Sequence, residues 1–131
     1  MFTAFGQITI TVRDYDEAID FYVGKLGFTL VSDTRPVPGI RIVKVAPAAG
    51  SETVVVFEKA TTEEDWARLG KQFPGMTLTL FTDDIDETVA RLKQNGVQLV
   101  EPVRKAPWGT QTVIADLYGN LFDVLQPAQL E

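Results

Sequence analysis

The stretch Ile8-Thr9-Ile10-Thr11-Val12-Arg13-Asp14-Tyr15-Asp16-Glu17 returns seventy residues later as Leu78-Thr79-Leu80-Phe81-Thr82-Asp83-Asp84-Ile85-Asp86-Glu87. Each copy reads as an alternating strand that runs into an acidic helix start. In each, an Asp stands three residues before a Glu, Asp14 with Glu17 and Asp84 with Glu87. That is capping-box spacing with Asp as the cap, where a carboxylate accepts orphan amides of the first turn. One such match is common by chance. Two at equivalent places mark a duplicated module.

Working outward, the first helix is predicted to place Tyr15, Ile19, Tyr22, Val23 and Leu26 on one stripe and to end at Gly27. The second places Ile85, Val89 and Leu92 likewise and ends at Asn95-Gly96. Strands are expected at Phe28 to Ser32, Ile40 to Ala46 and Thr53 to Glu58, then at Val97 to Val100, Gln111 to Ala115 and Leu121 to Gln126. Turns are expected at Pro36 to Gly39, Pro47 to Gly50, Pro102 to Gly109 and Tyr118-Gly119-Asn120. A short helix opened by Thr61 with Glu64 fills Thr61 to Phe73, and Pro74-Gly75 closes it. The expectation is an α+β chain: one domain over residues 1–131 made of two strand-helix-strand-strand-strand modules, about 1–60 and 75–131, joined by a helical linker at 61–74.

Composition narrows the chemistry. The 131 residues are 45% hydrophobic and 23% charged, the balance of a globular chain. No apolar run approaches the roughly 18 residues of a membrane span, and the N-terminus shows no secretory signal, so a cytoplasmic protein without membrane contact is expected. Twelve basic against eighteen acidic residues, a formal charge of −6, argue against nucleic acid. There is no cysteine and no histidine. Thiolate nucleophiles, Ser-His-Asp triads and His-ligated zinc sites are therefore excluded.

The run Thr11-Val12-Arg13-Asp14-Tyr15-Asp16-Glu17-Ala18-Ile19-Asp20-Phe21-Tyr22, followed by Lys25-Leu26-Gly27-Phe28, resembles the opening of the vicinal oxygen chelate superfamily. That group includes glyoxalase I, bleomycin-resistance proteins and extradiol dioxygenases. The second half is similar through Phe81 to Glu87 and through Asp116-Leu117-Tyr118-Gly119-Asn120-Leu121-Phe122-Asp123, where the family's usual wording is D-P-D-G-N-x-x-E. The resemblance implies two βαβββ modules with cupped mixed sheets, a homodimer, and in metal-dependent members four ligands, typically His, Glu, His and Glu. Carried over, those positions fall on Gln7, Val56 (with Glu58 on the same face), Thr77 and Asp123. Val56 cannot coordinate and Thr77 is a weak neutral ligand, so no cofactor and no metal site are expected. Gln7, Glu58 and Asp123 could offer oxygens only to a hard cation that keeps several waters.

Strand parity then fixes the concave face that a ligand would meet: Gln7, Thr9 and Thr11, then Thr77, Thr79 and Phe81, then Leu121, Asp123 and Leu125, with Ile8, Ile10, Val12, Leu78 and Leu80 turned to the helices. By the resemblance, the loop carrying Trp108 often overhangs the pocket, where its ring could stack on a planar ligand; a plug at the end of the barrel or a dimer contact is the equal alternative. Arg104 and Lys105 beside it could meet an anion, although a solvated charge pair is the more usual role. Trp66 is expected to pack with Leu69, and Tyr15 and Tyr22 to be core residues. Asp123 should hold a hydrogen bond from Gln7, Thr77, a backbone amide or water. The leading expectation is a metal-independent, small-molecule-binding homodimer with ligand-binding residues Gln7, Thr9, Val56, Glu58, Thr77, Thr79, Phe81, Trp108 and Asp123. The alternative is a divergent lyase or isomerase of the glyoxalase type, acting on a small oxygenated metabolite with Asp123 or Glu58 as base. A module that only mediates assembly is a third possibility.

Overall fold

In a computed structural model, described over residues 1–75 and 77–129, the repeat becomes two four-stranded mixed sheets. The chain divides into two compact units at Gln72/Phe73. The first holds β1 (Gln7–Val12), α1 (Tyr15–Ile19), β2 (Thr29–Val37), β3 (Ile40–Ala46), β4 (Val54–Lys59) and α2 (Glu63–Arg68). The second holds β5 (Leu78–Phe81), α3 (Ile85–Gln94), β6 (Leu99–Ala106), β7 (Gly109–Ala115) and β8 (Leu121–Pro127). Strand orders are β1-β4-β3-β2 and β5-β8-β7-β6, with the β1–β4 and β5–β8 pairs parallel and the remainder antiparallel. The α+β class and the tandem modules read from the sequence are what the fold shows.

The two caps form as expected. The Asp14 carboxylate accepts the Glu17 N–H at 2.8 Å, and Asp84 accepts that of Glu87 at 3.1 Å. Gly27 and Gly96 take left-handed φ values of 78° and 81° at the ends of the two helical segments. In the second unit Ile85, Val89 and Leu92 are buried as one stripe.

Several expectations need correction. The first helix does not hold an α stripe to Leu26. From Asp20 to Lys25 it widens into a π-helical turn, and Leu26 donates its N–H to Phe21 O. The wider turn buries Ala18, Phe21 and Tyr22 in place of Ile19, Val23 and Leu26. Tyr22 becomes the centre of an aromatic cluster, with ring centroids 5.7, 5.4 and 5.2 Å from Phe21, Phe28 and Phe57. Tyr15 is only half-buried, with the Arg41 guanidinium 5.3 Å from its ring centroid.

The linking helix is shorter than expected and is capped one residue later. Thr62 accepts the Asp65 N–H at 3.1 Å, and the Asp65 carboxylate reaches back to the Thr62 N–H at 3.3 Å. Trp66 is 49% exposed and does not pack into a core.

Pro36 and Pro102, expected in turns, both lie inside strands, β2 and β6. These are edge strands, and each proline coincides with a register shift, where a missing N–H breaks no ladder bond. The true turns are two residues long, with Val37 paired to Ile40 and Ala106 to Gly109.

Candidate functional site

Parallel pairing of first and last strands gives each unit one face turned to its helix and one turned away. In the first unit Ile10 pairs with Phe57, whose ring touches Tyr22, so Ile8, Ile10, Val12, Val55 and Phe57 form the helix side. Thr9 pairs with Val56 and Thr11 with Glu58 on the helix-free side, and Gln7 shares that parity. Lys44 continues the Thr9–Val56 row on β3. Gln7 and Glu58 are exposed, whereas Thr9 and Val56 are half-buried.

The second unit repeats this register one strand pair at a time. Leu80 pairs with Val124 on the helix side, which Gln126 also faces, its Oε1 accepting the Ile85 N–H at the start of α3 at 2.9 Å. On the helix-free side Thr79 pairs with Asp123, and Asp123 with Val113. The next row joins Phe81, Leu125 and Gln111. Thr77, just before β5, donates its hydroxyl to Asp123 Oδ2 at 2.6 Å, one of the partners anticipated for that carboxylate. Asp123 and Thr77 are half-buried, while Phe81 is 75% and Leu121 38% exposed.

Trp108 sits in the tight β6–β7 turn rather than on an overhanging loop. Its indole N–H donates to Gln111 Oε1, which ties the half-exposed ring to the Gln111–Leu125–Phe81 row. Gly109 makes that turn possible. Its φ is 149°, and a Cβ there would stand 2.2 Å from Gln126 O. Arg104 and Lys105 also line an open groove of about 340 Å³ with Ile85, Asp86 and Gln126, while the register sets Arg104 opposite Gln111 in the helix-free row. Arg104 approaches Glu101 at 3.6 Å, a solvated pair.

Asp123's strand is aimed by a closed loop before it. Asp116 Oδ1 accepts the N–H groups of Tyr118 and Asn120, and its Oδ2 accepts the Asn120 side-chain amide, all at 2.9 Å. Asp116 N–H returns a bond to Asn120 O at 2.8 Å. The expected turn role of Gly119 and Asn120 is therefore built around a buried Asp116.

Sequence reasoning missed a second positioning residue. Gln72 lays its amide along the outer edge of β1, accepting the Thr11 N–H at 2.7 Å and donating to Thr9 O. A side-chain amide thus stands where a neighbouring strand's peptide would. No local pattern points sixty residues back along the chain, so only the fold could find it.

The carboxylates held below their ordinary range serve structure. The Arg41 guanidinium, hydrogen-bonded to both, lowers Asp16 and Asp33, and their charges in turn hold the proton on Arg41 more firmly. Asp65 is lowered by the Thr61 N–H and the rest of its helix cap. Among the described residues no three acidic side chains gather as ligands. Taken unit by unit, the carried-over positions fit a metal poorly: in the first, Val56 has no donor atom and Gln7 is neutral, and in the second, neutral Thr77 directs its proton at Asp123.

Comparison with known proteins finds the same fold. The model of the Glyoxalase/Bleomycin resistance protein/Dioxygenase superfamily matches residues 4–124. An uncharacterised protein of Shewanella frigidimarina (strain NCIMB 400) is 40% identical over 122 residues, covering 92% of this chain and 90% of its own. TnmS3, an antibiotic binding protein from Streptomyces sp. CB03234, is 32% identical with a TM-score of 0.75, over 97% of this chain and 98% of its own. UcmS2 is 29% identical with a TM-score of 0.82, over 95% of this chain and 98% of its own. No helix among the described residues is long and apolar enough to cross a membrane.

Proposed function

The chain belongs to the glyoxalase/bleomycin-resistance/dioxygenase superfamily, and from that premise we propose that it binds a small organic molecule, without a metal, on the helix-free face of its second sheet. One observation carries the reading: the Thr77–Asp123 hydrogen-bonded pair stands beside exposed Phe81 and Leu121 on one sheet face. Few polar groups set in an apolar surface are what orient a small ligand. The ligand set that the resemblance implies for metal-dependent members is typically His, Glu, His and Glu, and this chain has no histidine. The likeness to an antibiotic binding protein supports sequestration over turnover.

A panel of antibiotics and aromatic metabolites, screened by thermal shift and followed by calorimetry, tests the proposal. At least one compound should bind stoichiometrically to the wild type and at least tenfold more weakly to Phe81→Ala. Turnover of a bound compound that disappears in Asp123→Asn would instead establish the lyase or isomerase reading. A panel that produces neither binding nor turnover would leave only the assembly role.

A further inference from the structure

The helix-free face of the second unit is ordered into two kinds of row. One is aromatic and aliphatic: Phe81, Leu125 and, through Gln111, Trp108. The next is Thr79, Asp123 and Val113. Successive rows on one face of a strand lie about 7 Å apart, roughly the span from the middle of a fused ring system to a substituent at its edge.

The polar row is biased toward accepting hydrogen bonds. Thr77 directs its hydroxyl proton to Asp123 Oδ2, which leaves the Thr77 oxygen lone pairs and Asp123 Oδ1 as acceptors. Among the described residues, Asp123 Oδ1 has no hydrogen-bond partner. Along β5, β7 and β8 Asp123 is the only charged side chain. β6 adds a second acid to this row, Glu101 opposite Val113, while its Arg104, opposite Gln111 in the aromatic row, stands 3.6 Å from Glu101. The Trp108 indole proton is already given to Gln111, so that residue offers a ring and no free donor. A net charge of −6 draws cations toward the protein and repels anions.

We infer that this face takes a planar aromatic cation, a charged N–H group of the ligand on Asp123 and its rings across Phe81 and Trp108. The inference rests on the binding reading above and deepens it by naming the ligand's chemistry. The cation would lie against Asp123, the residue on which the resemblance places the carboxylate ligand of a metal-dependent relative.

The test uses two probes of similar ring size and opposite charge, 9-aminoacridine and anthracene-9-carboxylate. A Trp66→Phe background leaves Trp108 as the sole tryptophan reporter, since the chain has two. In that background 9-aminoacridine should quench Trp108 saturably, and anthracene-9-carboxylate should bind at least tenfold more weakly. Asp123→Asn should weaken the cation at least tenfold and narrow the gap between the probes. Thr77→Val should weaken it several-fold, and Phe81→Ala should weaken both probes. Added NaCl should lower the cation's affinity in the unmutated site, a readout that stands even where a variant folds poorly.

Equal binding of the two probes, or cation binding indifferent to Asp123→Asn, overturns the inference. If Phe81→Ala still weakens both probes in that case, the face binds rings without sensing charge and the broader proposal survives. If neither probe quenches Trp108, the inference fails, and the compound panel separately decides the broader one.

Discussion

The two units carry the same register with different chemistry on it. Thr9 faces Val56 in the first, and Thr79 faces Asp123 in the second, at equivalent places in parallel pairs. Their helix sides also diverge. The first closes around Tyr22 with Phe21, Phe28 and Phe57, over a π-helical turn. The second packs a regular α3 through Ile85, Val89 and Leu92 near Phe122 and Val124. Backbone pairing and parity are what the duplication preserves. Facing away from the helix the two units differ at equivalent places, Val56 in the first and Asp123 in the second, and there the second unit keeps its acid.

The largest effect should come from the aromatic cluster. Tyr22→Ala empties a fully buried ring site and should cost about 3–5 kcal/mol by urea denaturation. Leu92→Ala, its counterpart on α3, removes a smaller and less central side chain and should cost about 2–3 kcal/mol. A reversed order would break the distinction between an aromatic and an aliphatic core.

The hairpins separate next. A Cβ at Gly109 would meet Gln126 O at 2.2 Å and Ala128 N at 3.0 Å, both backbone, whereas one at Gly39 would meet nothing within 4 Å. Gly39→Ala should cost about 1–2 kcal/mol for its positive φ alone. Gly109→Ala should cost at least about 1 kcal/mol more, since backbone must move. Equal thermal midpoints for the two variants would remove the claim of close approach.

A smaller contrast is electrostatic. Three carboxylates held below the ordinary value of 3.8, Asp16, Asp33 and Asp65, lie in the first unit. A depressed folded-state value adds stability above the unfolded value and loses it as pH falls through the folded one. The destabilisation caused by Arg41→Gln should therefore be full at neutral pH and shrink as pH drops below about 3.8. Asp16 and Asp33 are exposed to screening, so the effect should be modest and should fall with added salt. A stability difference that does not vary with pH would show that Arg41 acts through its stacking on Tyr15 alone.

The sequence made the fold legible wherever the information was local and repeated: the two Asp caps, the glycines ending each helical segment, and the alternation that sends Ile10 inward and Thr9 outward. It misled where a local signal had a non-local resolution. Pro36 and Pro102 signal turns until the strand order shows that both lie on sheet edges. Thr61 resembles a cap until Thr62 and Asp65 bond reciprocally. The π-helical turn follows from fitting both Phe21 and Tyr22 against one sheet, which no 3.6-residue period can announce. On the site, parity placed Thr77, Thr79, Phe81 and Asp123 on one face of the second unit. The Gln72 strap and the Asp116–Asn120 cage were not legible, because side chains meeting backbone leave no periodic trace.

The central claim is that a ligand is held on this scaffold by hydrogen bonds and aromatic contact, without a coordination sphere. Calorimetric titration of the wild-type chain with manganese, zinc and nickel tests it most directly. The account predicts no stoichiometric heat with any of the three. One ion bound per chain with sub-micromolar affinity, and lost in Asp123→Asn, would contradict it.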